Sequence, residues 1–111
     1  MAGKFELKAD NRGEFMFNLK AANNQVILTS QTYRDKASAK SGIESVMKNA
    51  GSDANYERKT SKTGQPFFVL KATNGQVIGQ SEMYASVSAM ENGIASVKAN
   101  ATKAEVLDLA A

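Results

Sequence analysis

The sequence predicts an α+β fold in two layers, a single mainly antiparallel sheet with two helices on one face. Three observations predict it. The phrase LKAANNQVI at residues 19–27 returns as LKATNGQVI at residues 70–78, so the chain is a tandem duplication offset by 51 positions. Each copy opens with three short segments of period-2 alternation, the pattern of half-buried strands. Each copy then carries apolar residues at helical spacing, enough for one stripe to cover one face of a sheet.

In the first copy, Phe5, Leu7 and Ala9 alternate with Glu6 and Lys8. A turn follows at Asp10-Asn11-Arg12-Gly13, matched in the second copy by Ser61-Lys62-Thr63-Gly64. The next strand sets Phe15, Phe17, Leu19 and Ala21 on one face, with Glu14, Met16, Asn18 and Lys20 on the other. Asn23-Asn24 and Asn74-Gly75 supply positive-φ residues for a tight hairpin turn. The third strands run over residues 25–30 and 76–81.

Asp35 and Ser86 occupy equivalent positions as helix N-caps, which predicts helices over about 35–49 and 86–100. Ala39, Gly42, Ile43, Val46 and Ala50 form one stripe; Met90, Gly93, Ile94, Val97 and Ala101 form the other. A mid-helix glycine costs about 1 kcal/mol against alanine. Gly42 and Gly93 are therefore read as points where helix and sheet approach closely. The core is expected to hold Phe5, Phe15, Phe17, Leu19, Ile43, Val46, Phe68, Leu70, Ile94, Val97, Leu107 and Leu109. Arg58 aligns with Leu7 and Leu109, and its guanidinium is expected at the sheet margin above an apolar stem.

Glu105-Val106-Leu107-Asp108-Leu109 follows the second helix and aligns with residues 54–58, which themselves align with the first strand. The unit is thus β3-α-β, and the strand near Tyr56 ends one repeat and begins the next. The reading is one compact domain, 1–111, made of repeats at about 4–54 and 55–109. A half of this size is near the lower limit for folding alone, so the halves need each other. Because the shared strand and the last strand can each complete the other repeat, the full chain is expected to be monomeric, a pseudo-dimer within one chain.

The run GxxxFxLKAxNxQVI, then S-x-x-Y, then G-I-x-S-V-x-x-N-A, present in both copies, resembles the YegP-like family, bacterial proteins of uncharacterised function. The resemblance covers nearly the whole chain. It implies two β3-α-β motifs in one sheet, with the C-terminal strands exchanged between them. It implies no activity, cofactor or catalytic residue. One departure is local: Pro66 stands where the first copy has Phe15, and Phe67 and Val69 stand where it has Met16 and Asn18.

With 14 Lys and Arg against 11 Asp and Glu, the chain is only mildly basic, and its lysines are interleaved with acids rather than massed. The chain has no His and no Cys, which removes the commonest general base, the thiol nucleophile and every His or Cys metal ligand. Neither phosphate-binding glycine motif occurs, and no calcium loop does. No catalytic residue, metal ligand or cofactor is expected. No apolar run approaches the roughly 20 residues that span a bilayer. The start lacks a signal-peptide core, so the expectation is a cytoplasmic protein without a membrane partner.

Glu6, Glu57 and Asp108 align and are expected on one sheet face beside Lys8 and Lys59, in cross-strand ion pairs rather than a metal site. Tyr33 and Tyr84 stand at strand-to-helix junctions, each expected to pack with its hydroxyl on a backbone partner. Ser30 and Ser81 are expected to end their strands with local hydrogen bonds.

The one candidate binding surface is the sheet face opposite the helices, carrying Met16, Asn18, Lys20, Phe67, Val69 and Lys71. Its apolar and cationic mixture suits a protein or peptide partner, or single-stranded nucleic acid as the alternative. Lysine stems lying over the face would instead make it plain surface. The functional expectation is a small non-enzymatic interaction or structural module of unknown partner. An enzyme using carboxylate or lysine chemistry ranks last.

Overall fold

The computed structural model describes residues 3–110, so the outermost ends of the 1–111 domain lie outside it. The strands are β1 (Lys4–Ala9), β2 (Phe15–Lys20), β3 (Val26–Thr29), β4 (Tyr56–Thr60), β5 (Pro66–Lys71), β6 (Val77–Gln80) and β7 (Glu105–Asp108). Helix α1 (Lys36–Asn49) follows β3, and α2 (Val87–Ala101) follows β6. A short 3-10 turn at Asp53–Asn55 leads into β4. The strands form one seven-stranded sheet in the order β4-β5-β6-β3-β2-β1-β7. Neighbours are antiparallel except β7, which runs parallel to β1.

The expected exchange is present: the strand after α1 joins the second half on β5, and the strand after α2 joins the first half on β1. The halves meet where Thr29 pairs with Gln80, residues that are each other's repeat equivalents. A local twofold therefore passes through the β3–β6 seam.

Local chemistry sets the element ends. Asp35 accepts from Ser38 N–H at 2.7 Å, and Ser86 accepts from Ala89 N–H at 3.1 Å, each capping its helix. Asp10 Oδ1 accepts from the N–H groups of Arg12 and Glu14, and Gly13 takes φ +78° to close that turn. At the β2–β3 and β5–β6 hairpins the left-handed residue is the second one alone, Asn24 at φ 69° and Gly75 at φ 86°. The preceding Asn23 and Asn74 instead accept from the N–H two residues on, at 3.1 and 3.0 Å. The turn is a three-residue loop closed by a left-handed residue, not the two-residue form in which both residues have positive φ.

Both helices pack on one face over a single core. Phe5, Phe17, Leu19, Ile43 and Val46 are fully or nearly fully buried, as are Phe68, Leu70, Ile94 and Val97. A bulge at Leu19/Lys20, repeated at Leu70/Lys71, inserts one extra residue into each third strand. It lets Ile27 and Leu28, adjacent in sequence, both enter the core. Phe17 stacks on Tyr33 and Phe68 on Tyr84, each with centroids 6.3 Å apart. Gly42 and Gly93 are where the tyrosines pass beneath the helices: a Cβ there would lie 2.9 Å from Tyr33 Cζ or 2.7 Å from Tyr84 Cζ.

Three expectations are corrected. Leu109 is 56% exposed and Leu107 only half-buried, because β7 pairs Phe5 with Val106 and Leu7 with Asp108. That register puts Val106, not the leucines, on the helix side. Phe15 is half-buried at the core's margin. The tyrosine whose hydroxyl donates to a backbone carbonyl is Tyr56, to Ala50 at 2.7 Å, while Tyr33 and Tyr84 rest their hydroxyls against the glycines.

Candidate functional site

The face opposite the helices is built by the alternation that fills the core. Asn18 lies between Phe17 and Leu19, and Val69 between Phe68 and Leu70, so both project to the open side. Met16 is paired with Lys8 and Asn18 with Glu6, while Phe67 is paired with Lys59 and Val69 with Glu57. All six expected residues thus share one face.

They are not equally available. Asn18 and Val69 are buried, at 8% and 3% exposure, whereas Met16, Lys20, Phe67 and Lys71 are half-buried. Asn18 donates from Nδ2 to Thr29 Oγ1 at 2.9 Å, which locks it across the β2–β3 pair. Lys20 turns back to Glu6 at 3.1 Å, and Lys71 turns back to Glu57. Glu6 also receives Lys8 at 3.6 Å and Lys4 at 3.9 Å. The hydrogen bond from Lys20 holds the Glu6 carboxyl below its usual range, and that from Lys71 does the same for Glu57.

The expected trio of acids is therefore split. Glu6 and Glu57 lie on the open face in cross-strand ion pairs, but Asp108 is on the helix side, 2.9 Å from Lys36 of α1. The parallel register of β7 offsets its alternation by one residue from the repeat alignment. Among the described residues, no group of three acids is placed to hold a metal ion.

Between the two halves of the face lies a groove of about 610 Å³ over the β3–β6 seam. Its lining comes in repeat-related pairs: Val26 with Val77, Thr29 with Gln80, Ser30 with Ser81. Gln31 and Glu82 stand at its ends. Sequence reasoning missed this groove, having singled out only Ser30 and Ser81 among its residues, and those as strand ends. The signal was there, since the shift of 51 that relates the repeats sets Thr29 on Gln80, the pair that meets at the twofold.

Ser30 and Ser81 frame the groove but are spent structurally. Ser30 Oγ accepts from Phe17 N–H at 2.9 Å and donates to Gln31 O at 2.7 Å. Ser81 repeats this with Phe68 N–H at 3.0 Å and Glu82 O at 2.8 Å. Neither is poised as a nucleophile, because among the described residues both hydroxyls bond only backbone groups and no side-chain base.

At the far edge, Arg58 donates from Nε to Glu91 at 2.6 Å and from a terminal nitrogen to Asp53 at 3.1 Å. Lys98 also reaches Asp53, at 2.8 Å. This network ties β4, the outermost strand on that side of the sheet, to α2 on the helix side.

A family model described as a domain of unknown function, DUF1508, matches residues 10–57 and again 61–108. The chain belongs to the DUF1508 family. Its two matches fall one in each repeat, the first over β2, β3, α1 and the start of β4, the second over β5, β6, α2 and β7. The chain is 56% identical over 108 residues to a UPF0339 protein of Bordetella pertussis, spanning 97% of this chain and 96% of that one. It is 51% identical over 108 residues to UPF0339 protein YegP of Escherichia coli O157:H7, spanning 97% and 98%.

Among solved structures, the solution structure of yegP from E. coli, described as a protein of unknown function, superposes with TM-score 0.94 at 49% identity, covering 99% of this chain and 95% of that one. A UPF0339 protein from Shewanella oneidensis gives TM-score 0.93 at 44% identity, covering 99% and 93%. These relatives establish the DUF1508 fold for this chain, and their names assign no activity. No described helix is long and apolar enough to cross a membrane.

Proposed function

We infer that this DUF1508 protein is a small non-enzymatic interaction module, monomeric and cytoplasmic, that binds a protein or peptide on its open sheet face. The observation that carries the reading is the seam groove, which joins two matched half-faces across the twofold. An extended segment can run along such a groove and meet equivalent positions twice, with Val26 and Val77 identical and Thr29 and Gln80 differing.

The hydrogen bonding of seven carboxyls argues against a general-acid role for them. Glu6, Asp10, Asp35, Asp53, Glu57, Glu91 and Asp108 all have carboxyls held below their ordinary values by hydrogen bonds from cations or backbone N–H groups. A carboxylate serving as general acid at neutral pH needs the opposite shift.

A second reading, single-stranded nucleic acid, is favoured by the face's charge balance. Lys4, Lys8, Lys20, Lys59 and Lys71 stand there against Glu6, Glu57 and Glu105, with Phe67 available for stacking.

A pull-down from the source cell, with and without nuclease, tests both readings beside a Gln80→Arg variant that fills the groove. The first reading expects a protein retained after nuclease by the wild type and lost by the variant. Recovered nucleic acid, released steeply by salt, would favour the second. Equal capture by the variant would remove this face from the function, and turnover in a metabolite screen would overturn the non-enzymatic reading.

A further inference from the structure

Two further clefts lie on the helix side, and each is assembled from both halves. One, of about 350 Å³, sits between the β2–β3 hairpin and α2; the other, of about 210 Å³, sits between the β5–β6 hairpin and α1. Their linings correspond position by position under the repeat shift. Gln25, Val26 and Tyr84 line the first, and Gln76, Val77 and Tyr33 line the second.

These residues are identical between the copies although the fold does not require their identity. Gln25 and Gln76 are exposed. Gln25 makes only a 3.5 Å contact from Asn23 Nδ2, and among the described residues no side-chain hydrogen bond holds Gln76. Tyr33 and Tyr84 stack on phenylalanines, a task a phenylalanine ring would do as well without a hydroxyl. Elsewhere on the helices the exposed positions have diverged: Lys40 faces Glu91 in the alignment, Glu44 faces Ala95 and Lys48 faces Ala99. In the clefts the hairpin side, the tyrosine and the glycine stayed the same in both halves, while Ala89 replaces Ser38 and Asn92 replaces Ser41 on the helix side.

We propose that the two clefts are paired binding sites for an uncharged amide group, such as the main chain of a peptide, held by Gln25 with Tyr84 and by Gln76 with Tyr33. The chemistry selects that class. Neither cleft lining includes a lysine or arginine, so nothing there neutralises an anion. A glutamine amide presents one acceptor and a donor pair in a single plane, reciprocal to another amide. The tyrosine hydroxyl, protonated at neutral pH, both donates and accepts, and burial raises the Tyr33 and Tyr84 pKa values further.

The sites are not twins. Glu82 stands at the rim of the first where the second has Gln31, so the two bind the same amide with unequal affinity. The clefts share Val26, Glu82, Gln31 and Val77 with the seam groove, but Gln25, Gln76, Tyr33 and Tyr84 do not line that groove, so this assignment can succeed or fail without the open-face reading.

The test is NMR titration of the ¹⁵N-labelled full chain with N-acetyl-triglycine N-methylamide, with glucose as a polyhydroxyl probe of similar polarity. The amide probe is expected to shift the Gln25 and Gln76 side-chain amides and the backbone around Tyr33 and Tyr84, in two steps of different affinity. Gln25→Ala should abolish the response in the cleft facing α2, and Gln76→Ala that in the cleft facing α1. Tyr33→Phe/Tyr84→Phe, which keeps the ring stacking, should weaken both at least several-fold, while Gln80→Arg on the open face should leave them unchanged. No response at either cleft up to the probe's solubility limit overturns the proposal. An equal response to glucose overturns the amide assignment, and an undiminished response in the glutamine variants overturns the residues named.

Discussion

Leu28 fills the space that Gly79 leaves: a Cβ on Gly79 would lie 2.6 Å from Leu28 Cδ2 and 2.7 Å from its Cγ. The two are repeat equivalents beside the twofold, where β3 meets β6. Only one large side chain fits on the axis, so the duplicated halves have become complementary rather than identical. Gly79→Ala is expected to cost about 1–3 kcal/mol by overpacking. In a Leu28→Ala background the same change should cost at least about 1 kcal/mol less, a coupling that a double-mutant cycle of urea unfolding measures. Strict additivity would mean that the two residues do not share the space.

The same asymmetry bears on a half-length chain. Residues 1–62 alone leave the last strand without an internal place, and exchange with a second copy would rebuild the sheet as a two-fold dimer. That dimer sets Leu28 against Leu28. Light scattering is expected to show a dimer of the fragment beside a monomeric full-length chain, with Leu28→Ala making the fragment dimer tighter. A folded monomer of the fragment would refute the shared-strand account.

Gly42→Ala and Gly93→Ala reverse the usual helix rule. Alanine should gain about 1 kcal/mol in a helix interior. Here the new Cβ falls 3.0 Å from Phe17 Cε2 at Gly42, or 3.3 Å from Phe68 Cε2 at Gly93, and closer still to the tyrosine rings. Each variant is expected to lose about 1–3 kcal/mol overall. Thermal melts of Gly42→Ala with and without Tyr33→Ala decide it: once the tyrosine ring is removed, the glycine substitution should destabilise markedly less, with the Phe17 contact remaining.

Acid sensitivity should trace to the open-face ion pairs. The Glu6 carboxyl lies below its ordinary value of 4.5, chiefly through the hydrogen bond from Lys20. A lowered folded-state pKa gives stability that is present above the unfolded value and lost as pH falls through the folded one. Glu6→Gln is therefore expected to melt lower than wild type at neutral pH. That difference should begin to shrink below about 4.5, where the unfolded chain takes up the proton, and vanish once pH has fallen through the lower folded value. An unchanged gap down to strongly acid pH would assign Glu6 a role other than charge.

The network at the β4 edge should matter less to stability. Arg58 and Glu91 are each more than a third exposed, so solvent screening weakens the pair. Arg58→Ala is expected to cost about 0.2–1 kcal/mol, a loss that falls in high salt and is read from melts at two ionic strengths. A larger, salt-independent loss would show that the arginine's stem, rather than its charge, seals the edge.

The sequence by itself determined the repeat, the strands, both capped helices and most of the core. These follow from local chemistry: period-2 and period-3.6 apolar spacing, Asp35 and Ser86 as caps, and Gly13 and Gly64 where φ is positive. It also determined which strands face Met16, Asn18, Lys20, Phe67, Val69 and Lys71 to the open side, because alternation fixes the face once the core residues are known.

The tertiary structure alone decided the rest. Val106 and Leu107 are both apolar, so nothing local says which of them faces the helices; the parallel pairing of β7 with β1 chooses Val106 and turns Leu107, Leu109 and Asp108 from their expected places. The seam groove and the paired clefts arise only when the halves meet, since each is lined from both repeats. A repeat records what each half needs internally. What forms between the halves depends on their relative placement, which long-range packing sets and local pattern does not encode.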